Sequence, residues 1–154
     1  RVQGDYDQAR HYYEQSQALL ETMGDKGDLA RLVHNLGYVA LHQGDEARAE
    51  AQFTRSLAMF RTLGNRRGIA ECLAGLAALW AERGAPRRAA QMLAAADALL
   101  TAAGAAWWPA DRVDIERNLA ALRSKLDEET FTAAWDAGQA MTLERAIADA
   151  VQDA

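Results

Sequence analysis

The sequence predicts an all-α protein, a right-handed superhelical array of antiparallel helix hairpins that ends in a capping helical segment. Three observations predict this fold. Alanine, which favours helices, supplies 35 of the 154 residues, whereas the β-branched residues Val and Ile together supply 8. Glycines recur every 20 residues along the first two-thirds of the chain. Between those glycines, apolar residues are spaced three and four apart, which is the period of an amphipathic helix.

The regularly spaced glycines give the length of the repeating unit. They lie at Gly4, Gly24, Gly44, Gly64, Gly84 and Gly104. The neighbours of alternate glycines differ, so the true period is 40 residues, and 4–43 aligns with 44–83 without a gap. We expect each of these glycines to end a helix and reverse the chain, because only glycine enters the left-handed conformation at little cost.

This period divides the chain into repeats and a tail. Repeats are expected over 1–104, as a half repeat at 1–27, a second repeat at 28–67 and a third at 68–104. The remaining residues, 105–154, are expected to form the C-terminal helical cap. Because the sequence starts within a hairpin, we expect it to be part of a longer protein.

Each full repeat is predicted to contain two helices joined by a tight turn. In the second repeat the helices are expected over 29–42 and 45–63, where apolar residues follow a helical period. The small residues Gly37 and Ala49 would let neighbouring backbones approach closely. The large side chain of Phe53 would then fill the space between successive hairpins.

After Gly104 the register is lost, and the helices of the tail are predicted from local signals. We expect them over 110–126, 128–137 and 143–152, with Gly138 ending the second. The buried stripe of the first tail helix is expected to consist of Val113, Ile115, Leu119, Leu122 and Leu126.

The second repeat resembles the tetratricopeptide (TPR) pattern of a large residue, Leu-Gly, a further apolar residue, a turn glycine, then alanine and an aromatic. The residues that carry this resemblance are Val33, Leu36, Gly37, Ala40, Gly44, Asp45, Ala49, Phe53 and Ser56. A similar pattern runs from Leu73 to Ala96 in the third repeat, and half of it from Gly4 to Ser16 in the first. The usual TPR unit has about 34 residues, so this one is similar to the expanded repeats of kinesin light chain and many bacterial regulators.

The tail resembles a narrower group, the large bacterial signalling ATPases that include LuxR-type and antibiotic-regulatory-type transcription regulators, whose TPR arrays close with a comparable phrase. That phrase is carried here by Phe131, Ala134, Trp135, Gly138, Ala140, Met141, Thr142, Leu143, Glu144, Ala146 and Ile147. The chain departs from the phrase at Asp136, Gln139 and Arg145. The resemblance implies the C-terminal TPR region of such a regulator.

Several classes of chemistry find no support in the sequence. A net charge of −5 does not favour direct nucleic-acid binding. The single Cys72 excludes an internal disulfide and a multi-cysteine zinc site, and a packing role is expected for it. The histidines His11, His34 and His42 are not spaced as a helical metal pair, and no Gly-rich phosphate loop occurs. We therefore predict no catalytic residues, no cofactor and no metal, and we expect no enzyme.

The sequence is also expected to be cytoplasmic and not to contact a membrane. No window approaches the roughly 18 consecutive apolar residues that a membrane span needs. The first residues, RVQGDYDQAR, are polar and contain no apolar signal region.

The predicted functional surface is the concave groove, because the first helix of each TPR hairpin lines it. The groove positions expected from the register are Arg31, His34, Asn35, Tyr38, Leu41, His42, Glu71, Ala74, Ala78, Ala81 and Glu82. An ordinary solvated helix face is the alternative interpretation of these residues. Trp107 and Trp108 are predicted to form a contact patch or to cover the open end of the last repeat.

The predicted function is non-catalytic, either protein–protein interaction or regulatory sensing within a larger bacterial signal-transduction or transcription regulator. The expected partner is a protein or peptide segment, or another domain of the same parent protein. A sensor that binds a peptide or small ligand in the groove and a free-standing TPR scaffold are the alternatives. Tyr6, Ala9 and Tyr13 are expected to leave an apolar N-terminal face exposed, through which the chain could form a homo-oligomer.

Overall fold

The computed structural model describes residues 2–152, and within that range the chain forms eight α-helices and no strand. The bounds of the helices are α1 Val2–Met23, α2 Lys26–His42, α3 Glu46–Leu63, α4 Arg66–Glu82, α5 Pro86–Ala102, α6 Pro109–Lys125, α7 Glu128–Gln139 and α8 Leu143–Val151. The prediction of an all-α fold is confirmed.

Consecutive helices from α1 to α5 pack against each other, and α2 also contacts α4 directly. This is the pattern of stacked hairpins, in which α2 with α3 and α4 with α5 form the two complete units. The buried core is continuous from the second hairpin through the third to the C-terminal helices. The array therefore continues into the tail without a second, separate core in the described residues.

The turns between helices repeat the same local chemistry. Five glycines have positive φ angles of 69–83°, at Gly24, Gly44, Gly64, Gly84 and Gly104. After the first three, Asp25, Asp45 and Asn65 cap the next helix by accepting a hydrogen bond from a backbone N–H three residues on. The expectation that Gly4 also ends a helix is wrong, because Gly4 lies in the first turn of α1.

Glycine also permits close packing in the core at the ring of Phe53. A Cβ atom placed on Gly37 or on Gly75 would lie 2.6 Å from Cε1 of Phe53. The ring is fully buried against the backbones of α2 and α4, one from each hairpin. Phe53 thus fills the space between successive hairpins, as the sequence predicts.

The tail departs from the repeat because α7, rather than α6, packs along α5. Gly138 lies inside α7, and a Cβ there would lie 2.0 Å from the carbonyl oxygen of Gln91 in α5. The expectation that Gly138 ends the helix is therefore wrong, since α7 continues to Gln139 and the glycine serves the close approach of two helices. The expected stripe of α6 is also wrong in one member, because Val113 is 55% exposed.

The N-terminal face is exposed, but through other residues than expected. Tyr6, Ala9 and Tyr13 are half-buried, and the Tyr6 ring stacks on the imidazole of His42 with 5.3 Å between ring centroids. The large apolar side chains that face solvent on α1 are Tyr12, 63% exposed, and Leu19, 60% exposed.

Candidate functional site

A groove lies between α2, α4 and α6, and we refer to it as the α2–α4–α6 groove. Two cavities of about 290 and 200 Å³ lie in it. Tyr38, His42, Asp114 and Asn118 line both cavities, so the groove is continuous. Two walls come from the first helices of the complete hairpins, and α6 supplies the third.

Most of the groove positions expected from the repeat register line these cavities. Of the expected positions, the larger cavity is lined by Tyr38, Leu41, His42, Ala78, Ala81 and Glu82. The smaller cavity is lined by His34, Asn35, Tyr38, His42, Glu71 and Ala74. Arg31 lines neither cavity, but it forms an ion pair with Glu71, which lines the smaller one. The role of these residues in binding a partner stays a prediction.

His34 lies at the bottom of the smaller cavity within a cluster of rings. Its ring centroid lies 5.2 Å from that of Tyr38 and 5.6 Å from that of Phe53, and the residue is 6% exposed. Burial, together with the nearby Arg31 guanidinium, lowers the pKa of His34 to about 3. Burial likewise raises the pKa of the Tyr38 phenol. His34 is therefore a neutral, buried part of the groove floor rather than a charged surface group.

Arg31 and Glu71 form an ion pair across the two hairpins. The Arg31 Nη1 donates to Glu71 Oε1 over 2.6 Å, and the Glu71 side chain is only 5% exposed. The two residues are 40 positions apart, which is one repeat, so they occupy equivalent positions on α2 and α4. The second carboxylate oxygen of Glu71, Oε2, is buried and finds no hydrogen-bond partner among the described residues.

The two tryptophans expected to form a patch have different surroundings. Trp107 is buried, and its indole N–H donates to Asp97 over 3.2 Å. Trp108 is half-exposed and lies at the start of α6, where the guanidinium carbons of Arg31 and Arg67 are 5.7 and 4.7 Å from its ring centroid. Trp108 thus connects α6 to α2 and α4, and it is the one of the pair that offers an exposed ring.

The acidic side of the groove comes from α6 and was not predicted. Asp111 and Asp114 line the smaller cavity together with Ile115 and Asn118. Burial raises the pKa of the Asp111 carboxyl and the Asp114 charge raises it further, while Arg31 and Arg67 act in the opposite direction. Polar residues at 111, 114 and 118 follow a helical period, and this spacing is the signal that could have placed them on one face.

Cys72 is a buried thiol of α4. Burial raises the pKa of the Cys72 thiol to about 12, so that it is neutral beside Ser56 Oγ at 3.3 Å and His34 Nδ1 at 3.7 Å. No group of three or more His, Cys, Asp or Glu side chains within residues 2–152 could hold a metal ion. In the same range, no helix has the length and apolar character required to cross a membrane.

Comparison with known proteins finds one family model that matches part of the chain. Residues 1–62 match the family model described as tetratricopeptide repeat. No curated protein and no solved structure matches the chain. Together with the stacked hairpins, the match supports a TPR-like helical array, and the matched segment includes α2 and all of α3 except its last residue.

Proposed function

We propose that this chain is a non-catalytic protein–protein interaction scaffold that binds an extended segment of its partner in the α2–α4–α6 groove. The observation that carries the proposal is the continuous groove, two of whose walls are the first helices of two TPR-like hairpins. TPR arrays use that surface to bind peptides. The cavities of about 290 and 200 Å³ are at or below the roughly 300–1,000 Å³ of small-molecule pockets, which favours a peptide segment as occupant.

The finer proposal is that the chain belongs to a cytoplasmic bacterial signal-transduction or transcription regulator. Its support is the phrase from Phe131 to Ile147, which resembles the end of the TPR arrays in such regulators. In that setting the groove would hold a segment of another protein or of a neighbouring domain. Binding would then favour one arrangement of the parent protein over another.

A peptide selection followed by two substitutions tests the scaffold proposal. Peptides are selected from a displayed random library on the immobilised chain, and their affinities are measured by isothermal titration calorimetry. Ala78 lines the larger cavity, so Ala78→Trp fills the groove and is expected to weaken binding by roughly tenfold or more. Ala51 is exposed on α3, so Ala51→Trp adds the same bulk outside the groove and is expected to leave the affinity unchanged.

Circular dichroism of both variants controls for folding. Peptides that tolerate Ala78→Trp but lose affinity in Ala51→Trp would show that binding occurs on the outer face, and they would contradict the proposal.

A further inference from the structure

Glu71 carries a buried oxygen that no described residue uses. The side chain is 5% exposed, Oε1 accepts from Arg31, and Oε2 has no hydrogen-bond partner within residues 2–152. A buried carboxylate oxygen without a donor is costly, and native structures rarely leave one in this state without a ligand, water or ion nearby. Glu71 lines the smaller cavity, but its Oε2 is enclosed by its neighbours, so a donor that enters the cavity reaches this oxygen only when those neighbouring side chains move aside.

The rest of the smaller cavity fits a cation. Its lining contains the carboxylates of Glu71, Asp111 and Asp114, and no Lys or Arg of the described chain belongs to it. Arg31 and Arg67 offset part of this charge from beside Trp108, and Arg117 pairs with Asp114 over 3.4 Å, so the three carboxylates are balanced by three guanidiniums that lie outside the lining of the smaller cavity.

Aromatic side chains form another part of the lining. Tyr38 and Trp107 belong to it together with the three carboxylates. Aromatic rings attract cations through their negative faces, and the attraction is strongest where water is excluded.

We propose that the smaller cavity of the α2–α4–α6 groove binds the ammonium group of a lysine side chain in the partner segment, with Glu71 Oε2 as its principal acceptor. This inference rests on the proposed function and specifies the partner as a lysine-bearing peptide. The ammonium donates to Glu71 Oε2, and Asp111 and Asp114 supply the surrounding negative charge.

The geometry favours lysine over arginine. Arginine recognises a carboxylate with two parallel hydrogen bonds, which requires both oxygens. One oxygen of Glu71 is already bonded to Arg31, so a single donor on a flexible stem is the better complement. The cavity of about 200 Å³ gives space for the aliphatic stem beside the rings.

The test uses the full chain, labelled with nitrogen-15 and titrated with short peptides at constant salt. The probes are acetylated and amidated Ala-Ala-Lys-Ala-Ala and the same peptide with norleucine or arginine in place of lysine. We expect the lysine peptide to cause saturable chemical-shift changes in the amides around Glu71. The norleucine peptide is expected to bind roughly tenfold more weakly, and the arginine peptide with an intermediate affinity. n-Butylamine serves as a probe of the free amine.

Three substitutions locate the binding within the groove. Glu71→Gln is expected to weaken the binding of the lysine peptide by roughly fivefold to tenfold, and Asp114→Asn is expected to weaken it by roughly twofold to threefold. Glu116→Gln makes the same chemical change at an exposed position of α6 that lines neither cavity of the groove, and it is expected to change the affinity by less than about twofold, because salt screens exposed charges. If Glu71→Gln fails to fold, the exposed Asp114→Asn decides the test.

The outcomes distinguish this inference from the proposed function. Equal affinity for the lysine and norleucine peptides, or no binding of the lysine peptide, would overturn the lysine assignment. If n-butylamine binds with the same affinity as the lysine peptide, the site recognises a free amine, and the assignment of the ammonium to a peptide would be wrong. If library-selected peptides lose affinity for the Ala78→Trp variant but bind the Glu71→Gln variant as tightly as the wild-type chain, the groove function is supported and the lysine site is contradicted. If Ala78→Trp does not change the affinity of these peptides, the groove function itself is contradicted.

Discussion

At the scale of single residues, the contact between Gly37 and Phe53 tests how tightly the hairpins stack. A methyl group at Gly37 would lie 2.6 Å from Phe53, whose ring is confined on the other side by α4, where a Cβ added to Gly75 would also lie 2.6 Å from its Cε1. We expect Gly37→Ala to lower the free energy of unfolding by about 1–3 kcal/mol, despite alanine being the better helix former. Urea denaturation followed by circular dichroism measures the change.

Gly27 provides the matched control in the same helix. It is exposed near the start of α2, and a Cβ there would meet no atom closer than 3.9 Å. We expect Gly27→Ala to stabilise the protein by about 0.4–1 kcal/mol, since it restricts the unfolded chain without a clash. A Gly37→Ala variant as stable as Gly27→Ala would refute the packing described for Phe53.

The buried His34 predicts a dependence of stability on pH. The folded pKa of about 3 lies below the ordinary value of 6.5, so between these values the unfolded chain binds a proton at His34 that the folded chain does not. The contribution to stability is therefore present above pH 6.5 and is lost as the pH falls towards 3.

Comparison with His34→Gln isolates this contribution. Between pH 7 and pH 5 the wild-type chain is expected to lose about 2 kcal/mol more stability than His34→Gln, because the other titratable groups are the same in both. Denaturant titrations at the two pH values measure the difference. Parallel pH profiles for the two proteins would mean that His34 is accessible to protons in the folded state.

Residue-level prediction from sequence succeeds where a repeat position determines the environment. Arg31 and Glu71 are one repeat apart, so their common face could be predicted, whereas the unpaired oxygen of Glu71 could not. The burial of His34 could not be predicted, because it depends on how the rings of Phe53 and Tyr38 pack against the imidazole. Glycine was ambiguous as well: Gly138 lies within a helix at the close approach of α7 to α5, whereas Gly4 lies in the first turn of α1 with open space around it.

At the scale of helices, the docking of α7 on α5 depends on Gly138. The Gln91 carbonyl that a Cβ at Gly138 would meet at 2.0 Å is backbone and cannot rotate away. Nearby, the Gln139 side-chain amide donates to the Ala94 carbonyl over 2.9 Å, which holds the same two helices together.

Gly138→Ala is expected to separate α7 and α8 from the array and to leave the preceding hairpins folded. Hydrogen exchange measured by mass spectrometry should show faster exchange in α7 and α8, with α2 and α3 unchanged, because the contact is confined to α5 and α7. Unaltered exchange in α7 would show that the two helices tolerate a methyl group between them.

Helix α6 is the element that sequence reasoning placed least well. Its helical range was predicted closely, but among its residues only Leu122 is buried, so its apolar spacing carries little information about orientation. The position of α6 as a wall of the groove follows from tertiary contacts, including those of Trp108 with Arg31 and Arg67. By contrast, α2 to α5 could be predicted because each repeat contains the same turn glycine and small residues.

At the scale of the whole molecule, the array is expected to have a gradient of local stability. No described side chain of α1 is buried, whereas α4 has twelve buried residues and lies between α3 and α5. Ion pairs such as Arg55 with Glu21 connect α1 to α3, but exposed pairs contribute about 0–1 kcal/mol each.

Amide hydrogen exchange should therefore be fastest in α1 and slowest in α4. Stability in a repeat array is approximately a sum of units and neighbour interfaces, so a helix with one main neighbour opens more readily. Protection of α1 equal to that of α4 at low protein concentration would contradict this ranking. Self-association through the exposed Tyr12 and Leu19 stays a prediction, and it would appear as protection of α1 that rises with concentration.

The most direct test of the account is to locate a bound segment on the array. A peptide selected from the library is labelled with a nitroxide, and the loss of amide signals that its unpaired electron causes is mapped by nuclear magnetic resonance. We expect the losses to centre on Asn35, Ala78 and Asn118, which line the α2–α4–α6 groove. Losses centred on Ala51 and its neighbours in α3, with the groove amides unaffected, would contradict it.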